Sequence, residues 1–303
     1  MTQTALLLLL GIFFCTTLSA QNQAPKLITW QDIASTPVPA PDFTISYGLD
    51  SLQFGELRLP KGKGPFPVVV VVHGGCWLSE YDLHYMAHVS EALTKAGYAT
   101  WMPEFRRVGN EGGGWPGTFL DVAKATDFLR ELAKKYPLDI KQVVTLGHSA
   151  GGHLALWLAA RPNLPRTSEL YTSRPLKLKG VVALAGITDL TTYSVEEGSC
   201  NAAVAQLLEG LPATQPGRYA QTSPLQLLPL RLPQYLVQGA LDPIVPVSQA
   251  QHYAEQAQAK GDKAQVLLLP NAAHFDLVAP WSPVWPSIEQ AVESLIGGKA
   301  SKQ

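Results

Sequence analysis

Hydrophobic residues along this chain fall into short dense blocks, not into one long periodic stripe. Residues 67–72 read Pro-Val-Val-Val-Val-Val without a polar position. A strand wetted on one side alternates apolar and polar residues. A run without alternation predicts a strand covered on both sides, as in a parallel sheet. Similar blocks at 98–102, 143–146, 181–185, 235–238 and 266–269 predict further strands. Between them lie stretches with helical spacing. Residues 85–95 predict a helix stopped by Gly97. Residues 118–136 predict a long one, with Phe119, Ala123, Phe128 and Leu132 inward and Thr118 with Asp121 as a capping box. Residues 151–160 are apolar all round and predict a buried helix. The last helices are expected at 249–259 and 288–295. Repeated strand–helix units predict an α/β chain with a mostly parallel central sheet and helices on both faces.

Three intervals break the alternation. Residues 44–47 and 52–59, joined by Gly48-Leu49-Asp50-Ser51, predict an antiparallel hairpin ahead of the parallel units. Residues 21–42 are proline-rich and predict an irregular N-terminal segment. Residues 187–232 hold several short helical pieces and no convincing strand. They follow a strand's C-terminal end, where α/β proteins place their clefts, so a small cap-like insertion is expected there.

Residues 5–15 form an apolar run too short for a comfortable membrane span. Small residues ending at Ala20 and the polar Gln21-Asn22-Gln23 follow. That pattern predicts a signal peptide over 1–20, a mature chain without a stable membrane span, and a secreted or periplasmic location. Phe13-Phe14 are too bulky for a lipoprotein site at Cys15. Export leaves Cys76 and Cys200, and an even pair in an oxidising compartment invites a disulfide.

Composition narrows the class further. Of 303 residues, 46% are hydrophobic and 16% charged, with net charge −1 and no basic run, which argues against a nucleic-acid partner. No His/Cys cluster has metal-ligand spacing, so no metal is expected. Gly112-Gly113-Gly114-Trp115-Pro116-Gly117 lacks the Lys-Ser/Thr of a phosphate loop and predicts a rim loop that positions Trp115.

The candidate chemistry centres on Gly147-His148-Ser149-Ala150-Gly151. This G-x-S-x-G lies between a predicted strand and a predicted helix, the setting of a nucleophile elbow. A serine hydroxyl needs a base, and the base needs an orienting acid. In this architecture the chain order is Ser, then Asp or Glu, then His. Of seven histidines, at 73, 84, 88, 148, 153, 252 and 274, only the last two follow the serine and a later strand. His252 lies in a polar helix face. His274 follows the last predicted strand and is the expected base. His153 is expected in the core, and His148 to order the elbow. Asp242, one strand earlier, is the expected acid. Asp189 is its alternative, and Asp276 is too near His274. Ala150 N–H is expected to serve an oxyanion hole, joined by the loop His73-Gly74-Gly75-Cys76-Trp77. Trp77, Trp115, Trp281 and Trp285 are candidates for an apolar pocket wall.

With His73-Gly74-Gly75-Cys76-Trp77, Gly147-His148-Ser149-Ala150-Gly151, Asp242 and His274 in this order, residues 45–297 resemble the α/β-hydrolase superfamily. The H-G-G-x-W form is similar to the branch of kynurenine formamidases, prenylcysteine methylesterases and bacterial feruloyl-esterase-like carboxylesterases. The resemblance implies one hydrolase domain over 43–303, with Ser149 as nucleophile, His274 as base and Asp242 as orienter. It also implies an oxyanion hole from Gly75, Cys76 and Ala150. It implies a small-molecule ester substrate, an acyl-enzyme and no cofactor. An amidase or arylformamidase, an exopeptidase with the same triad, and a catalytically silent binding module are the alternative readings.

Overall fold

The computed structural model describes residues 26–296 except 197 and 199, so the expected signal peptide over 1–20 lies outside the described residues. Eight strands form one sheet: β1 (Phe43–Ser46), β2 (Phe54–Arg58), β3 (Phe66–Val72), β4 (Ala99–Pro103), β5 (Leu138–His148), β6 (Gly180–Leu184), β7 (Gln234–Gly239) and β8 (Ala264–Leu269). Their order is β1-β2-β4-β3-β5-β6-β7-β8. β1 and β2 pair antiparallel, β2 runs antiparallel to β4, and every later pairing is parallel. The crossover at β3 and β4 makes β3 and β5 neighbours, so the loops after these two strands open at the same edge.

The apolar blocks occupy the centre. Val68 to Val72 of β3 and all of β6 are buried, as strands covered on both sides must be. Helices Ala150–Ala160 and Trp285–Ile296 both pack on β5 and β6. Helix Val247–Ala259 covers β7 and β8, and helix Ala87–Lys95 covers β4. Every residue of Ala150–Ala160 is buried, which explains its apolar circumference.

Four expectations change. β5 begins at Leu138, five residues earlier than the apolar block, because its register against β3 shifts between Pro67 and Val68. The shift lets polar Lys141 and Gln142 ride in the strand. The long helix expected over 118–136 is two pieces, Gly117–Asp127 and Leu129–Leu132. Thr118 and Asp121 form no capping box. Thr118 Oγ1 donates to the Arg106 carbonyl at 2.7 Å, and the Asp121 carboxylate receives Arg106 and Gln53. Both side chains are buried, and these partners from distant chain outcompete a local cap. The segment expected to be irregular contains a helix, Trp30–Ala34, whose capping box pairs Thr29 with Asp32.

Residues 187–232 hold helices Leu190–Tyr193, Asn201–Leu207 and Pro216–Thr222 and a 3-10 turn, Pro224–Leu227, with no strand among the described residues. They follow β6 and lie beside the loop after β3, to which Cys200 is bridged through Cys76. The Cα atoms of the two cysteines are 5.0 Å apart across a separation of 124 residues.

Candidate active site

β5 ends in a tight turn into helix Ala150–Ala160, and Ser149 occupies that turn with φ 56° and ψ −123°. A side chain at positive φ is strained and persists only where the surroundings hold it. Ser149 N–H donates to the Leu184 carbonyl at 2.8 Å, tying the turn to β6. Close packing explains the flanking glycines. A Cβ on Gly151 would overlap the carbonyl oxygens of Val72 and His73, and one on Gly74 would overlap that of His148.

His274 and Asp242 arrive on the loops after β8 and β7. His274 Nδ1 lies 2.8 Å from Asp242 Oδ2, and the Asp242 side chain is fully buried. With Nδ1–H donating to the carboxylate, Nε2 is left as the acceptor nitrogen. Asp242 is held on several sides: Ile244 N–H (2.8 Å), Val245 N–H (3.0 Å) and Gln238 Nε2 (3.2 Å) all donate to it. Ser149 and His274 line one cavity of about 300 Å³. Its other walls include Gly75, Cys76, Cys200 and Ile244, and the aromatic side chains Trp30, Tyr81, Tyr85 and Phe275.

The loop after β3 takes an unusual path. Gly75, Cys76 and Trp77 have φ of 97°, 53° and 57° in succession. Leu78 N–H closes back on the Gly75 carbonyl at 2.9 Å. Among the described residues no protein acceptor receives the N–H groups of Gly75, Cys76 or Ala150. Ala150 also stands at the N-terminus of a helix, where backbone N–H groups are free and the dipole favours negative charge. Unclaimed N–H groups on the cavity-lining Gly75 and Cys76 and on Ala150, next to Ser149, are donors of the kind that suits a developing oxyanion.

Two residues missed by sequence reasoning hold this loop. Tyr85 O–H accepts from Gly74 N–H at 2.6 Å and lies 3.1 Å from His148 Nδ1. His148 Nε2 lies 3.1 Å from the His274 carbonyl and donates to it, so Nδ1 accepts from the tyrosine. Burial first, and then the nearby His274, push His148 well below the ordinary histidine range, so it acts as a neutral relay. The second is Glu104. It receives His73 Nε2 at 3.0 Å, Phe105 N–H at 2.7 Å and Arg107. Burial acts to raise its carboxyl, but His73, Arg107 and the Phe105 N–H outweigh it and hold the group at about 2. A carboxylate placed directly after an apolar strand, as Glu104 is after β4, is the signal that could have found it. Tyr85 has no such signal, because its partners come from two other loops.

The remaining candidates lie elsewhere. Asp189 caps helix Leu190–Tyr193 through Thr191 and Thr192 N–H. Asp276 receives the N–H groups of Ala273 and Ile28. His252 is exposed on its helix. His153 is fully buried, with Nε2 facing the Thr222 carbonyl at 2.9 Å and Nδ1 accepting from Trp77 Nε1 at 3.2 Å. Trp77 and Trp115 do not line the cavity, contrary to expectation. Trp77 turns inward to His153, and Trp115 donates to Glu169 at 2.8 Å beneath the Arg218 guanidinium. Each indole N–H takes a partner outside the cavity lining, the buried His153 for Trp77 and the surface Glu169 for Trp115. Trp285 is buried in its helix, and Trp281 stacks edge-on against His88. Among the described residues no group of three or more His, Cys, Asp or Glu could hold a metal ion, and no helix is long and apolar enough to cross a membrane.

A mostly parallel eight-stranded sheet, an elbow serine after β5 and loops converging at the strands' C-terminal ends define an α/β-hydrolase fold. Solved structures share it. A truncated carbohydrate esterase from gut microbiota superposes with TM-score 0.74 at 20% identity, covering 86% of this chain and 98% of that one. Esterase B from Lactobacillus rhamnosis gives 0.73 at 20% identity, covering 86% and 90%. The BD-FAE family model matches residues 56–257, and the chain belongs to that family. Among curated relatives, esterase LipC of Mycobacterium tuberculosis is 28% identical over 246 residues, covering 77% of this chain and 60% of its own. Kynurenine formamidase of Drosophila melanogaster is 24% identical over 241 residues, covering 76% and 75%. The chain thus spans about three fifths of the length of LipC.

Proposed function

We propose that this chain hydrolyses carboxylic esters through Ser149, His274 and Asp242. The observation that carries the reading is the 2.8 Å bond from His274 Nδ1 to a buried Asp242, with His274 and an elbow serine on one cavity wall. His274 Nε2 takes the Ser149 proton as Oγ bonds to the ester carbonyl carbon. The carbonyl π electrons move onto oxygen, and the N–H groups of Gly75, Cys76 and Ala150 receive that charge. The tetrahedral adduct collapses, His274 returns the proton to the leaving alkoxide, and an acyl-Ser149 remains. Water repeats the sequence and releases the acid.

Export completes the reading. A signal peptide over 1–20 would deliver the chain to a compartment where a Cys76–Cys200 bridge persists. The esterase names carried by LipC and by esterase B support ester over other substrates. Amide hydrolysis is a second reading, favoured by the formamidase relative, whose length this chain covers most fully of the two curated proteins described.

The test is a fluorophosphonate probe with p-nitrophenyl acetate and N-formylkynurenine as competing substrates. Labelling at Ser149 and preferential ester turnover are expected. A chain that turns over neither substrate and resists the probe is a silent fold. Preferential formamide turnover moves the reading to the amidase. Ser149→Ala lowers kcat by about four to six orders of magnitude on the scale of triad removal elsewhere.

A further inference from the structure

The chain ahead of the family match contributes a wall to the candidate active site. The match begins at residue 56, whereas Trp30 already lines the cavity shared by Ser149 and His274. A local cap shapes the turn that carries it, and two contacts hold that turn in place. The short helix Trp30–Ala34 starts on a Thr29–Asp32 capping box, in which Thr29 N–H donates to Asp32 at 2.9 Å. Ile33 from the same turn is buried in the core. Ile28 N–H donates to Asp276 Oδ1 at 3.3 Å, and the other oxygen of that carboxylate receives Ala273 N–H at 2.9 Å. Asp276 therefore fastens this segment to the loop that carries His274. The indole meets Tyr81 edge-on at 5.6 Å and stands 5.7 Å from both Tyr85 and Phe275. At 38% exposure it sits at the rim, with one side in solvent and one on the cavity.

We propose that Trp30 is a specificity-determining residue that sets the size of the group accepted beside Ser149. A cavity of about 300 Å³ is small, at the lower end of the range for ligand sites, roughly 300–1,000 Å³. Its side walls are fixed by the sheet's own loops and by the Cys76–Cys200 bridge. The indole comes from a separate strap, outside the sheet's loops, and faces solvent behind. Esters with a short acyl chain fit within the wall, and longer chains meet the ring. Truncating the ring widens the cavity's mouth and leaves room for a longer chain.

The proposal rests on Ser149 as nucleophile, and the test separates the two. Values of kcat/KM for p-nitrophenyl acetate, butyrate and octanoate are measured in the parent chain, Trp30→Phe, Trp30→Ala and Ser149→Ala. Trp30→Ala is expected to raise the octanoate-to-acetate ratio by about tenfold, the scale on which an apolar pocket discriminates chain length. Trp30→Phe is expected to fall between, with the change carried by the octanoate KM. A ratio that stays within about twofold of the parent in both variants, or that falls, overturns the size role. If Trp30→Ala fails to fold, the Trp30→Phe ratio decides alone. Full acetate turnover by Ser149→Ala would instead overturn the nucleophile, whatever the ratios at residue 30.

Discussion

The Nε2–H of His148 donates to the backbone carbonyl of His274 across 3.1 Å, so the residue before the elbow serine holds the loop that carries the candidate base. The same imidazole accepts from Tyr85, which accepts from Gly74. One neutral ring thus ties the loops after β3, β5 and β8 together.

Breaking this relay is expected to disturb positioning more than binding. Tyr85→Phe deletes one hydroxyl and leaves Gly74 N–H and His148 Nδ1 without their partner. Unsatisfied buried groups cost about 1–3 kcal/mol each. The expected outcome is a fall in kcat on the order of tenfold to a hundredfold with little change in KM. Steady-state kinetics on p-nitrophenyl acetate check it, and a rise in KM alone would point to a wall function for the Tyr85 ring.

Asp242→Asn removes the acceptor of His274 Nδ1–H and favours the wrong tautomer. A fall in kcat of about 10⁴ is expected by analogy with other triads. Asp189→Asn changes a helix cap. Its expected cost is about 1 kcal/mol of stability or less, with kcat nearly kept. The reverse pattern in paired kinetic and melting measurements would move the acid to the loop after β6.

The buried histidines make stability depend on pH. Burial lowers His153 to about 4, against 6.5 for a free imidazole, and pushes His148 down as well. The unfolded chain binds protons below pH 6.5 that the folded chain refuses. Their contribution is intact above 6.5 and is lost as pH falls toward 4. Tm measured from pH 7 to 4 should drop across this window, and His153→Gln should flatten the drop. An unchanged slope in that variant contradicts the assignment.

The Cys76–Cys200 bridge joins the candidate oxyanion loop to the segment after β6. Thiol titration of the exported, denatured and unreduced protein should find no free sulfhydryl. Cys200→Ser is expected to lower stability by about 2–5 kcal/mol, as loss of a bridge closing a long loop does. It should also lower kcat by loosening the positive-φ run at Gly75, Cys76 and Trp77.

Much of the architecture is written locally. The β-branched block at β3, the G-x-S-x-G between β5 and its helix, and the H-G-G loop each announce themselves within a few residues. Chain order points to His274 with Asp242, whereas the even pair Cys76 and Cys200 allows a bridge without requiring one. The local reading failed where distant partners took over. Thr118 and Asp121 look like a cap but belong to Arg106 and Gln53. Trp77 and Trp115 look like pocket walls but spend their N–H groups on His153 and Glu169.

The sequence by itself determined the sheet's apolar strands, the turn that carries Ser149 and the order in which acid and base follow, because these depend on neighbours in the chain. Tertiary structure alone decided which aromatic rings face Ser149, which carboxylate locks the loop after β3, and how His148 joins three loops. Those outcomes depend on groups brought together from segments up to 248 residues apart, as Ile28 N–H and the Asp276 carboxylate are. A buried polar group takes whichever partner the fold sets within hydrogen-bonding reach, and that choice leaves no local trace.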